Sequence, residues 1–261
     1  MTVLSSILER KYAEVADRRI DRPECELEEV VNKLSLPKSL FAVLSPQGGA
    51  VRVIAEIKRA SPSAGTIDPL VDAAALAARY AQSGASAVSV LTDAPGFGGS
   101  LDDLRMVRAT ISLPLLRKDF VVDRYQLLEA REAGADAVLL IAAALQDNQL
   151  ETLLSAAQDL AMDALVEVHD QTELQQALDA GAQIIGVNNR DLKTFEVDLS
   201  TSEKLLPLVP SRLRAVAESG IRGAGEARRL RAAGGANFLV GEALVRATDP
   251  AALVRELLAV P

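Results

Sequence analysis

Charged and amide side chains follow short apolar runs at several points of this chain, and their types suit chemistry on an anion. Glu56 and Lys58 share one face of the run that ends with them, because side chains alternate along a strand. Buried ammonium and carboxylate groups have to be paired or hydrogen-bonded, and they usually have a role beyond stability. The set predicts general acid–base catalysis on a substrate that its cations attract. Its other members are Lys118, Glu167, Asn188, Arg190, Glu218 and Ser219.

Each of these residues, taken singly, is as compatible with a structural ion pair as with catalysis. Two lysines, one arginine and three glutamates at one rim favour function, because isolated buried ion pairs are not generally selected for stability. His169 would lie on the same face as Glu167, and we interpret it as a hydrogen-bonded rim residue rather than a catalytic one. A pair between Lys118 and Asp119 is disfavoured, since neighbours along a strand point to opposite faces.

Several other chemistries lack the residues that they need. Cys25 is the only cysteine and His169 the only histidine, which argues against a zinc site and a Ser-His-Asp triad. The chain has neither a G-x-G-x-x-G motif after a strand nor a P-loop, so nucleotide binding has no support. We therefore predict an enzyme without a metal or an organic cofactor.

The net charge limits the partners. With a formal charge of −8, the chain repels nucleic acid and anionic membranes at long range, so an anionic substrate has to be captured locally. The longest apolar run, residues 137–145, is about half of the roughly 20 residues that a membrane span needs. The N-terminus lacks the pattern of a signal peptide. We expect a cytoplasmic protein, and a monomer or weak homodimer, although no sequence feature determines the oligomeric state.

A repeat shows which elements have to position these residues. In SGASAVSVL at 83–91, AGADAVLLI at 133–141, AGAQIIGV at 180–187 and GGANFLVG at 234–241, a glycine precedes a short buried run. Such a glycine ends a helix in the left-handed conformation, and we assign this role to Gly84, Gly134, Gly181 and Gly235. A helix followed by a buried strand, repeated, predicts parallel βα units.

Adding the strands that lack the glycine signal to these four gives eight, which predicts an α/β fold with one (β/α)8 TIM barrel. Helical spacing covers 70–82, 124–132, 146–160, 171–179 and 223–233. Helices over 3–15, 26–34 and 37–44 would cap one end of the barrel or flank its mouth. We predict a single domain, with residues 1–48 as a helical extension and 49–261 as the barrel. The predicted strands are 51–57, 87–91, 113–117, 137–141, 164–168, 184–187, 213–217 and 238–240.

The last two strands end in Ser219-Gly220 and Gly241-Glu242. In many barrels the loops after strands seven and eight bind phosphate together with a short helix, which residues 242–247 would form here. Glycine lets backbone N–H groups approach the phosphate, and a helix N-terminus adds partial positive charge. We therefore predict a phosphate site at these two strand ends.

With these residues identified, the sequence resembles the indole-3-glycerol phosphate synthase family over essentially its whole length. Seven motifs match in order, and several long motifs in order are far more specific than one short motif. They are IAEIKRASPSAG at 54–65, LTDAPGFGGS at 91–100, LLRKDFVVDRYQ at 115–126, LVEVHD at 165–170, GVNNRDLKTFEVD at 186–198, ESGI at 218–221 and FLVGEAL at 238–244.

The resemblance implies a general acid at Lys118, a general base at Glu167 and an assisting cation at Lys58. It also implies that the substrate is 1-(2-carboxyphenylamino)-1-deoxyribulose 5-phosphate, which is cyclised, decarboxylated and dehydrated in tryptophan biosynthesis. The family usually carries lysine where this chain has Ala64, which removes one cation near the phosphate. Binding or orienting roles fall to Glu56, Asn188, Arg190, Glu218 and Ser219, phosphate contacts to Ser61, Gly220, Gly241 and the backbone of Glu242, and the anthranilate pocket to Phe97 and Leu139.

Two rival interpretations remain at this stage. Another phosphate-binding barrel, such as phosphoribosylanthranilate isomerase, would share the glycines after strands seven and eight. That enzyme would be expected to use a cysteine base near the first strand, whereas Cys25 lies outside the repeat. A non-catalytic barrel kept for partner binding would have lost the charges at its mouth, and this chain has kept them.

Overall fold

Eight parallel strands close a barrel in the computed structural model, which describes residues 3–61, 65–146, 148–192 and 194–261. Each strand pairs with the next along the chain, and the last closes on the first, with Arg52 opposite Asn237 and Ala55 opposite Val240. The predicted (β/α)8 barrel is confirmed. The strands are β1 Arg52–Ile57, β2 Ala87–Leu91, β3 Leu115–Lys118, β4 Ala137–Ile141, β5 Asp163–Val168, β6 Ile184–Asn188, β7 Arg214–Glu218 and β8 Asn237–Val240.

Helices cover the outside of the barrel. Parallel strands covered in this way are apolar on both faces, and alternate residues of each strand therefore pack inward and outward. Ile54 packs in the barrel interior, while its neighbours Val53 and Ala55 pack against the outer layer. The helices are α1 Val3–Asp21, α2 Glu24–Val31, α3 Leu40–Val43, α4 Ala73–Gln82, α5 Ala94–Phe97, α6 Leu101–Thr110, α7 Arg124–Glu132, α8 Gln149–Asp159, α9 Gln171–Asp179, α10 Ser200–Leu205, α11 Ala224–Ala232, α12 Glu242–Arg246 and α13 Pro250–Leu258.

The glycine signal was right at three helix ends and wrong at the fourth. Gly84, Gly134 and Gly181 have φ of 95°, 92° and 87°. After α11 the left-handed residue is Gly234, with φ of 90°, and not Gly235. The helix ends at Ala232 with Ala233 as its cap, so Gly234 occupies the position that favours glycine, and Gly235 is one extra residue before β8.

The helices before β1 pack against both ends of the barrel. The backbone N–H groups of Phe41 and Ser45, in and after α3, donate to Asp163 and Asn237 at the starts of β5 and β8. This segment therefore closes the bottom of the barrel. At the opposite end α1 lies beside the mouth, where Leu4 and Leu8 pack onto the interior cluster.

Several element limits differ from the predicted ones. α1 continues six residues beyond Val15, because its last turns are held by ion pairs such as that between Arg18 and Glu129 on α7. β3 begins at Leu115 because Pro114 has no N–H to donate to a strand ladder. A short antiparallel hairpin of 60–61 with 65–66 was not predicted. In the described part of the chain, no helix has the length and apolar character that crossing a membrane would require.

Candidate active site

Four ionisable side chains from alternate strands meet inside the barrel mouth. Glu56 comes from β1, Lys118 from β3, Glu167 from β5 and Glu218 from β7. Nζ of Lys118 lies 3.1 Å from Oε2 of Glu218, 3.4 Å from Oε2 of Glu167 and 3.9 Å from Oε2 of Glu56. Alternate strands of such a barrel contribute side chains to one layer, which explains how residues so distant in sequence converge. We call these four residues the charged layer.

Two glycines on the intervening strands leave space for this layer. A Cβ atom at Gly186 on β6 would lie 2.2 Å from Oε1 of Glu218. A Cβ at Gly241, just after β8, would lie 2.2 Å from Oε1 of Glu56. Both distances are too short for real Cβ atoms, so two carboxylates occupy space that any other residue at 186 or 241 would fill. Neither glycine was predicted to have this function from its place in the sequence.

The electrostatics of the layer keep its lysine protonated. Burial alone lowers the pKa of Lys118, but the carboxylates of Glu218, Glu167 and Glu56 outweigh burial and raise that pKa above its ordinary value. Burial opposes ionisation of Glu56 as well, and Lys58 and Lys118 reverse this effect and lower its pKa. Nζ of Lys58 lies 2.8 Å from Oε1 of Glu56. The layer therefore presents an ammonium group surrounded by carboxylates.

Two glutamates of the layer differ in protonation. The pKa of Glu167 is lowered, because Lys118, His169 and Asn188 together outweigh the effect of burial. In contrast, burial raises the pKa of Glu218 to about 7, with Lys118 offsetting only part of it. Among the described residues neither oxygen of Glu218 has a hydrogen-bond partner, so its contact with Lys118 is an ion pair without hydrogen-bond geometry. Neighbouring carboxyl groups with such separated pKa values are suited to different tasks in acid–base chemistry.

His169 is held between two glutamates. Its Nδ1 lies 2.9 Å from Oε2 of Glu173, and its Nε2 lies 3.3 Å from Oε1 of Glu167. Burial alone would lower its pKa, but the contacts with Glu167 and Glu173 outweigh burial and raise the pKa to about 10. The ring is thus hydrogen-bonded at the rim, as the sequence analysis expected.

The end of β6 supplies an amide and a guanidinium group. Oδ1 of Asn188 accepts a hydrogen bond from the backbone N–H of Arg190 at 3.0 Å. Nη1 of Arg190 donates to the carbonyl of Phe195 at 3.0 Å, which fixes the side chain beside the mouth. These contacts orient both residues toward the same cavity as the charged layer.

The ends of β7 and β8, next to β6, form another part of the mouth. Ser219 and Gly220 have φ of 65° and 79°, and a positive φ is uncommon for serine, which indicates local strain after β7. After β8, α12 begins at Glu242, whose Oε1 accepts from Nε of Arg246 at 3.0 Å. The carboxylate of Glu242 is thus engaged within its own helix. Arg222 and Arg246 also line the mouth, and neither cation was predicted for the site.

All residues predicted for the site line one cavity of about 560 Å³. Ala64, where the family carries lysine, lies outside the described residues. One end of this cavity is lined by Phe97 and Leu139, which were predicted, and by further apolar residues that were not. The ring of Phe120 lies 6.3 Å from that of Phe97, and Leu4 and Ile7 of α1 face the same space. The helical spacing of Leu4 and Ile7 indicates that one face of α1 is buried, but a sequence does not show which surface such a face covers.

A buried lysine of α1 fixes two of the loops around the mouth. Nζ of Lys11 lies 2.7 Å from Oδ1 of Asp93 and 2.9 Å from Oδ1 of Asp119. These aspartates follow β2 and β3, directly before the segments that carry Phe97 and Phe120. Lys11 is 2% exposed, so this contact ties α1 to the mouth through a desolvated ion network.

The chain is similar to known proteins in sequence and in fold. The sequence profile of the family described as indole-3-glycerol phosphate synthase matches residues 4–257. The chain is 49% identical to the indole-3-glycerol phosphate synthase of Parafrankia sp. (strain EAN1pec), over 98% of this chain and 95% of that protein. It is 49% identical to that of Chlorobium chlorochromatii (strain CaD3), over 97% and 99%. Among solved structures, 3-hexulose-6-phosphate synthase from Salmonella typhimurium has a TM-score of 0.64 at 14% identity, covering 80% of this chain and 98% of that one, which shows a shared fold.

Proposed function

The chain belongs to the indole-3-glycerol phosphate synthase family, and from that premise we propose that its charged layer carries out the ring closure. The reaction is a carboxy-lyase reaction of tryptophan biosynthesis on a phosphorylated small molecule. The observation that supports the proposal best is the position of Lys118, an ammonium group within 4 Å of three carboxylates at the bottom of the cavity.

Ring closure needs an acid. The aromatic carbon that bears the carboxylate attacks the ketone of the substrate, and the ketone oxygen becomes an alkoxide. We assign to Lys118 the proton that this oxygen takes up. Its raised pKa keeps it protonated before the reaction, and a developing alkoxide is basic enough to accept a proton from a weakly acidic ammonium group.

In the decarboxylation that follows, the substrate itself serves as the electron sink. Once the ring has closed, the nitrogen carries iminium character and accepts the electron pair of the breaking bond to CO₂. Dehydration then removes a proton from the carbon next to that nitrogen and releases the hydroxyl group as water. In this dehydration we assign removal of the proton to Glu167, whose lowered pKa keeps it ionised. We assign protonation of the leaving hydroxyl to Lys58 on the other side of the layer.

The two ends of the cavity suit the two ends of the substrate. We propose that Phe97 and Leu139 hold the anthranilate ring, while Arg190 and Lys58 attract the carboxylate. For the phosphate we propose Ser61 and the backbone after β7 and β8, where Ser219, Gly220, Gly241 and Glu242 surround the mouth. Glu56, Asn188 and Glu218 would orient the acid and the base. The carboxylate of Glu242 pairs with Arg246, which supports backbone rather than side-chain contact with the phosphate.

The isomerase alternative has less support, because Cys25 is exposed on α2 and is absent from the cavity lining. We further propose that the enzyme acts in the cytoplasm as a monomer or weak homodimer and binds neither nucleic acid nor membrane, which the charge of −8 supports.

The test is to incubate the protein with 1-(2-carboxyphenylamino)-1-deoxyribulose 5-phosphate without added metal or cofactor and to follow indole fluorescence. We expect product from the wild type and a loss of kcat of about 100-fold or more in Glu167→Gln, since a general base contributes that much. An exposed glutamate provides the control, Glu9→Gln, which should keep full activity. No product from folded wild type would overturn the assignment.

A further inference from the structure

The single histidine of the chain joins the active-site carboxylate Glu167 to the first turn of α9. Oε2 of Glu173 accepts two hydrogen bonds from His169, one from its backbone N–H at 2.7 Å and one at Nδ1 at 2.9 Å. Glu173 is itself fixed, because its backbone N–H donates to Oδ1 of the N-cap residue Asp170 at 2.9 Å. With Nδ1 occupied in this way, Nε2 is directed at Glu167.

We propose that His169, clamped by Glu173, is a positioning residue that holds Glu167 ionised and correctly oriented while Lys118 gives up its proton. The proposal rests on the proposed function, since it concerns the carboxylate that acts as the base there. Lys118 acts in the first step and Glu167 in the last, so Glu167 has to stay ionised after Lys118 has given up its proton.

The groups that face Glu167 explain why a second cation is needed. Lys118 from β3 and His169, which follows β5, attract its negative charge, and Asn188 from β6 also favours its ionised form. Glu167 also faces the carboxyl groups of Glu218 from β7 and Glu56 from β1, and its charge opposes the ionisation of both, so each of them repels Glu167 when it is ionised.

Proton transfer from Lys118 to the substrate leaves a neutral amine in this surrounding. Glu167 would then face the negative charge of Glu56, and that of Glu218 where this group is ionised, with no charge from Lys118 to balance them, and burial would favour its protonated, inactive form. The imidazolium of His169 remains as the nearby positive charge. Its two carboxylate neighbours, Glu167 and Glu173, keep it in that state, and its high pKa agrees with this assignment.

The first test uses the fact that the chain has one histidine, so its imidazole NMR signals need no assignment. We expect the ring to stay cationic through neutral pH in the wild type, and to lose its proton at clearly lower pH in Glu167→Gln and in Glu173→Gln. A ring that titrates near 6.5 in all three proteins would overturn the proposal. This measurement does not depend on turnover, so its failure is distinct from failure of the proposed function.

The second test is the pH profile of kcat for His169→Gln. Removing an opposite charge at this distance raises the pKa of a carboxyl group by about one unit or more, so the acid limb should move upward by that amount. We expect KM to stay close to the wild-type value. Gln175→Ala is the control on the same helix: it removes an exposed side chain whose amide donates to Asp179, leaves Asp170 and Glu173 unchanged, and should leave the acid limb in place. An unmoved acid limb in His169→Gln would contradict the proposal.

Discussion

Oε2 of Glu218 lies 3.1 Å from Nζ of Lys118, while Oε1 of the same carboxylate occupies the space that a side chain at position 186 would need. Glu218 therefore contacts Lys118 with one carboxylate oxygen and fills the space beside Gly186, on the neighbouring strand β6, with the other. The geometry of the charged layer depends on this glycine as much as on the charges.

Gly186→Ala tests that dependence. The new methyl group would lie 2.2 Å from Oε1 of Glu218 and 3.3 Å from Leu165, so the carboxylate has to leave its position beside Lys118. Overpacking of this kind costs about 1 to 3 kcal/mol of unfolding free energy. We expect kcat to fall by about tenfold or more, because small displacements of catalytic groups are costly. Urea unfolding and steady-state kinetics provide both values.

The control for this substitution is Gly225→Ala. A Cβ at position 225 meets nothing within 4 Å, so this variant should keep the wild-type kcat and lose no stability. If Gly186→Ala behaved like Gly225→Ala in both measurements, the packing of Glu218 against position 186 would not matter.

Glu218 should make the stability depend on pH. The folded protein holds a proton on this group up to about pH 7, whereas the ordinary pKa is 4.5. The stabilisation from that proton is therefore complete below 4.5 and is lost as the pH rises through 7. Glu218→Gln cannot ionise, so its unfolding free energy relative to wild type should increase between pH 4.5 and 8. Urea unfolding of both proteins at several pH values measures this difference, and a constant difference would refute the assignment.

Lys11→Met tests the network that ties α1 to the mouth. The substitution leaves Asp93 and Asp119 buried without one of their cations, and breaking a buried pair in this way costs about 3 to 5 kcal/mol. KM should rise as well, because the segments that carry Phe97 and Phe120 lose an anchor. Thermal unfolding and kinetics check the two effects. Lys33→Met, at an exposed position, should change neither, and equal behaviour of the two variants would exclude a role for Lys11.

The barrel could be predicted because its signals are local. The signals are an apolar run for each strand and a glycine before four of them. Each signal lies within about ten residues, and together they place all eight strands to within two residues of their observed ends. The mistake at Gly235 has a local origin too: the motif has two adjacent glycines, and sequence does not show which of them follows the helix cap.

The site could be predicted in part. Strand alternation brought Glu56, Lys118, Glu167 and Glu218 to one rim, because a closed barrel fixes where alternate residues point. Lys11 could not be found in this way. A lysine in an amphipathic helix normally faces water, and only the tertiary packing of α1 on the mouth shows that this one is buried. The space at Gly186 is likewise a property of two strands that are distant in sequence.

Lys118→Met provides the most direct test of the account, which depends on an ammonium group in the centre of the charged layer. With the same substrate and no added metal, we predict a loss of kcat of about 1000-fold, within the range for a lost general acid, while the exposed Lys204→Met keeps full activity. Circular dichroism should show that both variants are folded. A folded Lys118→Met enzyme that formed indole-3-glycerol phosphate within tenfold of the wild-type rate would contradict the assignment of Lys118 as the acid.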